Sequence, residues 1–187
     1  MRTFLRIFFI FSYLLPAASA LADTPKPESA KAAPAGYLFR VKSGDYKAQF
    51  PGAPKEEMKS TDTASGPVQT QLATYLDEAA RRTFVTSEGQ FSIDKSLVTD
   101  PEKILDGARD GVVASTGSKL LNELKIKKGG IPGREFAFVN PQGLGVLVRV
   151  FYNPQTNVLY QAIVTSEDGK TDFPEAKAFV NSFEILK

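Results

Sequence analysis

Two arginines, Arg134 and Arg149, are the side chains of this sequence best suited to binding chemistry. They lie in the segments 134–139 and 144–152, which are rich in aromatic and β-branched residues and are each predicted to form a β-strand, and turn-forming residues follow at 140–143 and 153–157. If these turns set the strand register, Arg134 lies opposite Arg149, and Arg149 lies opposite Gln161. Two guanidinium groups that face each other repel, so the pair needs an acidic partner.

The origin of that acidic partner decides what the arginines do. An anion from outside would make them a site for a ligand that carries a carboxylate or a phosphate. An acid such as Asp77 or Glu184 would make them an internal ion pair, and side chains that extend into water would need no partner. The candidate binding residues under the first interpretation are Arg134, Arg149, Gln161 and Tyr152. A one-residue bulge would move one arginine to the opposite face of the sheet and remove the site.

Several residue types that enzymes use are missing from the whole chain. The sequence has no histidine, no cysteine and no tryptophan. Without histidine there is no Ser-His-Asp arrangement and no imidazole ligand for zinc, and without cysteine there is no thiol nucleophile. Asp106 and Asp110 lie four apart on a predicted helix, with Arg109 between them. We interpret them as a solvated helix face rather than a catalytic pair, so we expect no catalytic residue, no metal site and no cofactor.

The first 22 residues have the pattern of a cleavable export signal. Arg2 and Arg6 provide a positive start, residues 7–15 form an apolar run, and residues 20–22 give a small-x-small cleavage pattern. The apolar run is too short to span a bilayer, which disfavours the alternative of an uncleaved anchor. We therefore expect a secreted or periplasmic protein with no membrane span after cleavage.

The chain that remains after cleavage has no net charge. The full sequence has 23 basic and 21 acidic residues, and the leader holds two of the arginines and no acid, which leaves 21 against 21. Such a balance lacks the basic excess that nucleic acid binding needs. Residues 23–36 are rich in proline, alanine and charge and predict a disordered tether, and residues 37–187 are expected to form one domain.

The pattern of that domain predicts β-hairpins interrupted by two helices. Strands are expected at 37–42, 46–50, 68–77, 82–86, 119–128, 134–139, 144–152 and 158–165, with a polar loop between the second and third. Residues 183–186 are expected to form a last short strand or an extended tail. The order predicts an α+β fold in which a mainly antiparallel β-sheet is flanked by helices, as an α/β/α sandwich.

The helix ends and one strand edge can also be predicted from local residue preferences. The first helix is expected to run from an N-cap at Thr99, with Glu102 completing a capping box, to Gly117. The second is expected to begin with a cap at Asp172. On strand 119–128 we expect Leu124 and Ile126 to face the core, and the lysines Lys125, Lys127 and Lys128 to protect a solvated edge.

Four local patterns resemble a known fold group: FPGAP at 50–54, GGIPGRE at 129–135, RVFYNPQTNVLYQAIV at 149–164 and FVNSFEI at 179–185. Together they are similar to small exported bacterial proteins of the PsbP-like fold. That fold is an antiparallel sheet sandwiched by helices, shared with the lumenal extrinsic subunit of photosystem II and a Ran-binding nuclear import factor. The resemblance covers nearly the whole domain, and it implies binding of partners rather than turnover.

These observations predict an exported, non-catalytic accessory or binding protein of the cell envelope, acting on a protein partner or a small anionic ligand. The alternative is an envelope hydrolase that relies on carboxylates alone, which needs two acids about 5 to 10 Å apart across a cleft. A third hypothesis, a structural or adhesive surface domain, predicts self-association.

Overall fold

The computed structural model describes residues 36–63, 66–90 and 100–186. The predicted leader (1–22), nearly all of the predicted tether (23–36) and the predicted N-cap Thr99 lie outside these ranges. Neither helix in the described ranges has the length and hydrophobicity needed to cross a bilayer.

Ten strands and two helices make up the described part of the chain. The strands are β1 (Tyr37–Arg40), β2 (Tyr46–Phe50), β3 (Lys55–Thr63), β4 (Gly66–Asp77), β5 (Arg82–Gln90), β6 (Lys119–Lys128), β7 (Ile131–Val139), β8 (Gly145–Asn153), β9 (Val158–Ser166) and β10 (Glu184–Ile185), and the helices are α1 (Pro101–Thr116) and α2 (Pro174–Ser182). The predicted polar loop before residue 66 is wrong, because β3 occupies most of it and pairs with β4 along its whole length. A strand at a sheet edge can be polar on both faces, so hydrophobic alternation does not reveal it.

The strands form two antiparallel sheets. The large sheet has seven strands in the order β3-β4-β5-β9-β8-β7-β6, and the small sheet has three in the order β1-β2-β10. Helix α1 packs on β7 and β8, whereas α2 packs on β2, β8 and β9. We call the two sides of the large sheet the α1 face and the α2 face, after the helix that covers each. The predicted α+β fold with helices flanking an antiparallel sheet is confirmed.

Each face of the large sheet has its own hydrophobic core. On β8, the side chains of Val146, Val148, Val150 and Tyr152 join the core under α1. Leu147 and Phe151, which alternate with them, join the core formed with α2 and the small sheet. This alternation follows from the two-residue period of a strand, and it makes register decide which helix a side chain meets.

The helix ends differ in detail from the prediction. The N-cap of α1 is Asp100, whose side chain accepts a hydrogen bond from the Glu102 backbone N–H at 3.0 Å, so the expected capping box is wrong. The predicted end is confirmed, since Gly117 closes α1 at a φ of 66°. Helix α2 starts one residue later than expected, with Phe173 as its N-cap and no side-chain cap.

Candidate functional site

The register of both hairpins differs by one residue from the predicted one. Arg134 pairs with Val150, and Arg149 pairs with Glu135 on one side and Ala162 on the other. The loop between β7 and β8 is one residue longer than expected, and the loop between β8 and β9 is one residue shorter. Because the side-chain period is two, each change moves a whole strand's side chains to the other face. Arg134 therefore lies on the α1 face and Arg149 on the α2 face, so the prediction that they face each other is wrong.

Arg134 is almost fully enclosed, with 2% of its surface exposed. Its guanidinium donates to Glu102 Oε2 at 2.5 Å, to Glu123 Oε1 at 3.1 Å and to Asp106 Oδ1 at 3.5 Å, and also to the carbonyl of Gly133 at 3.4 Å. Glu102 and Asp106 come from the first two turns of α1, and Glu123 comes from β6. A buried cation needs such partners because burial without them costs several kcal/mol. Arg134 thus ties α1 to the sheet.

Further charges extend this cluster along the border between α1 and β6. Arg109 donates to both oxygens of Glu123, at 3.2 and 3.0 Å, and to Asp110 at 2.8 Å. Lys125 reaches Glu102 at 3.1 Å. We call these seven residues the arginine network: Glu102, Asp106, Arg109, Asp110, Glu123, Lys125 and Arg134. Asp106 and Asp110 take part as ion-pair partners of arginines.

Contacts within the arginine network shift the pKa values of Glu102, Arg134 and Arg109. Hydrogen bonding from Arg134 lowers the pKa of Glu102 below its usual 4.5, with Lys125 acting in the same direction. Hydrogen bonding to Glu102 in turn raises the pKa of Arg134, and bonding to Asp110 raises that of Arg109. A carboxyl group that must serve as a general acid near neutral pH needs a raised pKa. No group of three or more acidic side chains in the described ranges could hold a metal ion.

Arg149 has a different set of partners on the α2 face. It donates through Nε and Nη2 to Glu135 Oε2, at 2.9 and 2.5 Å, and through Nη1 to the carbonyl of Val180 at 2.8 Å. It also reaches Asn181 Oδ1 at 2.9 Å. Both arginines thus pair with acids of the protein itself, and these acids are neither Asp77 nor Glu184.

The other two predicted site residues lie on the α1 face with Arg134. Gln161 is separated from Arg134 by Val150 in the same row across the sheet, and its Oε1 accepts from Ser87 Oγ at 3.0 Å. Tyr152 is fully buried and donates to Asn157 Oδ1 at 2.7 Å, and burial raises its pKa. Gln161 lines a cavity of about 10 Å³ under α1, and the other residues that line this cavity are apolar. The cavity has room for at most one water.

The outer side of β6 carries features that the sequence prediction missed. Leu124, expected in the core, has 49% of its surface exposed, and Leu121 has 50% exposed. Ile126 does pack against the core on the α2 face, as expected. A β-bulge between Leu120 and Asn122 turns Leu120 toward the α1 core and leaves Leu121 outside the regular pairing. We define the β6 edge by its exposed side chains: Lys119, Leu121, Asn122, Leu124, Lys125 and Lys127.

The missed features share a cause. Glu102 and Glu123 read locally as a capping residue and as a solvated strand residue, and only the pairing of β6 with β7 under α1 brings them to Arg134. The lysines of β6 had indicated a solvated edge, but the sole sequence signal for its exposed leucines was the run of two leucines at 120–121, which breaks the alternation of the strand.

No protein-family model matches this sequence, and no curated protein matches it. The chain is similar to the solution structure of cyanobacterial PsbP (CyanoP) from Synechocystis sp. PCC 6803, with a TM-score of 0.55 and 12% identity over 87% of this chain and 98% of that chain. A second similar structure is PA94, a protein of unknown function from Pseudomonas aeruginosa, with a TM-score of 0.41 and 14% identity over 73% and 85% of the two chains. The likeness to the cyanobacterial protein confirms the predicted PsbP-like fold.

Proposed function

We propose that this chain is an exported, non-catalytic accessory protein of the cell envelope, and that it binds a protein partner through the β6 edge. The leader pattern of residues 1–22 supports export. The observation that carries the proposal is the exposure of two leucines, Leu121 and Leu124, on the last strand of the large sheet. Apolar side chains on a terminal strand favour pairing with another chain.

The internal contacts of Arg134 and Arg149 make a protein partner a better proposal than a small anionic ligand. Arg134 is enclosed and donates to three carboxylates, and Arg149 donates to a carboxylate and to a helix carbonyl. An incoming anion would have to displace these internal partners and repel their charges. We propose that Arg134 and Arg149 fasten the two helices to the sheet, with Gln161 and Tyr152 as buried parts of the α1 core.

The hydrogen bond from Arg134 and the lowered pKa of Glu102 also disfavour Glu102 as the general acid of a carboxylate-dependent hydrolase. Glycoside hydrolysis needs one carboxylic acid that keeps its proton until it protonates the leaving group. In the arginine network a cation instead favours the ionised form of Glu102. The network is therefore better suited to holding α1 in place than to proton transfer.

Capture from envelope extract tests this function. The bait is the protein produced with its own leader and purified from the envelope, and its first residue is expected to be Asp23. We compare the parent with Leu121→Glu/Leu124→Glu and with a matched control at the opposite end of the sheet, Met58→Glu/Leu76→Glu. Met58 lies on the edge strand β3 and is 64% exposed, and Leu76 lies on the next strand, β4, and is 54% exposed.

We expect the parent and the control to capture the same protein, and the β6 variant to recover at least about tenfold less of it. Circular dichroism establishes that all three are folded. Equal recovery by all three proteins, or no specific protein with the parent, would contradict the proposal.

A further inference from the structure

We infer that the partner adds a β-strand to the β6 edge, through an extended segment in which acidic and apolar residues alternate. This inference rests on the proposed function and specifies the chemistry of the partner. It depends on three properties of β6: its free backbone, its charge and the alternation of its side chains.

The outer backbone of β6 is available for pairing. In the described part of the chain β6 hydrogen-bonds to one neighbour only, β7, and therefore ends the large sheet. The bulge at its start is its sole register shift, and pairing is regular from Asn122 to Lys128. These seven residues span about 23 Å, which is enough for an added strand of ordinary length. Main-chain hydrogen bonds along such an edge provide affinity, and side chains provide specificity.

The accessible charges of β6 are positive. The strand carries four lysines and one glutamate, and that glutamate, Glu123, is bound by Arg109 and Arg134. Lys119 and Lys127 pair with no carboxylate in the described ranges, and Lys125, although it contacts Glu102, has 76% of its side chain exposed. The β6 edge thus offers three accessible cations.

The opposite end of the sheet lacks this bias. Strand β3 carries two lysines and three acids, and Lys59 pairs with its neighbour Glu57 at 2.9 Å. Exposed lysines alone can serve to prevent edge-to-edge aggregation. That role does not explain why two half-exposed leucines lie on the same edge. A specific partner strand would explain the lysines and the leucines together.

The side chains of β6 alternate in a way that specifies the partner. Lys125 pairs with Arg134 and Lys127 with Pro132, so both lysines lie toward the α1 face, whereas Leu124 lies toward the α2 face. Residues of an added strand that lie opposite β6 residues point to the same faces. Acidic side chains are therefore expected beside the two lysines, and an apolar side chain beside Leu124. A second copy of β6 would instead bring two lysine-rich strands together.

Peptide binding tests the inference with a defined probe. The probe is a labelled nine-residue peptide of alternating glutamate and valine, and its controls are the same peptide with two central prolines and a peptide of alternating lysine and valine. Proline removes the amide donors and resists the extended pairing that a strand requires. Binding is followed by fluorescence anisotropy and by amide hydrogen exchange of the exported, purified protein.

We expect the glutamate peptide to bind at least tenfold more tightly than either control, and to slow exchange in β6 but not in β3. Lys125→Glu/Lys127→Glu should reverse the preference in favour of the lysine peptide, whereas the matched double change on β3, Lys55→Glu/Lys59→Glu, should not. Equal binding of the proline peptide, unchanged exchange in β6, or dimerisation of the protein through β6 in sedimentation experiments would overturn the inference.

The capture experiment and the peptide-binding experiment distinguish failure of the proposed function from failure of the strand-addition inference. If Leu121→Glu/Leu124→Glu loses the captured protein but the glutamate peptide does not bind, strand addition is wrong and the proposed function stands. If the peptide binds at β6 but envelope extract yields no specific protein, the proposed function is contradicted while the edge chemistry is upheld.

Discussion

The two faces of the large sheet each hold one helix with one arginine, but they do so by opposite means. On the α1 face, Arg134 meets the first turns of α1 and binds the side chains of Glu102 and Asp106. On the α2 face, Arg149 meets the last turn of α2 and binds the backbone carbonyl of Val180. Lys128 assists there by donating to the carbonyl of Phe183 at 2.5 Å.

The helix dipole explains the difference. The start of a helix carries a partial positive charge and its end a partial negative charge. A cation placed at the start of α1 therefore needs acidic side chains to hold it, whereas a cation at the end of α2 finds unpaired carbonyls already there. The α1 attachment therefore depends on ionisable side chains, whereas the α2 attachment depends in part on the backbone.

The largest effect in this comparison is expected for Arg134→Ala. The substitution leaves three carboxylates close together without their central cation and opens a void under α1. We expect the free energy of unfolding to fall by about 3 kcal/mol, at the low end for a broken buried ion pair because the carboxylates retain access to water. Urea denaturation measures the change. Lys127→Ala, an exposed change on the neighbouring strand, is the control and should stay within about 0.5 kcal/mol of the parent.

A smaller loss, of about 2 kcal/mol, is expected for Arg149→Ala. Glu135 then loses its cation, and the Val180 carbonyl loses a hydrogen bond in a partly buried position. Arg149→Lys should recover part of the loss, because one charge can still reach either group but not both in the same geometry. The same denaturation series measures both variants. A cost for Arg149→Ala that equals or exceeds that of Arg134→Ala would break the proposed difference between the faces.

The smallest expected effect is a change in pH dependence on the α1 face. Hydrogen bonding from Arg134 lowers the folded pKa of Glu102 below 4.5, so its contribution is fully present above pH 4.5 and is lost as the pH falls through the lowered value. In Glu102→Gln, the free energy of unfolding should therefore fall less steeply than in the parent as the pH falls below 4.5 and through the lowered pKa.

Glu78→Gln is the matched control for that experiment, because Glu78 is exposed in a turn and forms no ion pair in the described ranges. Its stability should follow the parent across the same pH range. A Glu102→Gln profile that runs parallel to the parent's would show that Arg134 does not depend on this side chain's charge.

Sequence reasoning succeeded where the cause of a structure is local. Pro101 and Gly117 bracket α1 as helix-start and helix-stop preferences predict, and the turn residues near 140 and 155 mark real hairpins. It failed for β3, because the residues of an edge strand can be polar on both faces. It also failed for Leu124: strand alternation correctly places this residue on the same face as Ile126, but its position at the edge of the sheet leaves its side chain exposed.

Composition and residues within a few positions of one another were enough to predict the α+β fold, the order of most elements and the chemistry that the chain lacks. The tertiary structure alone decided where the arginines point and what they bind. Turn composition does not set a loop's length to the residue, and one residue reverses a strand's faces. Arg134 then meets Glu102, 32 positions away, because α1 crosses β7 in the folded chain.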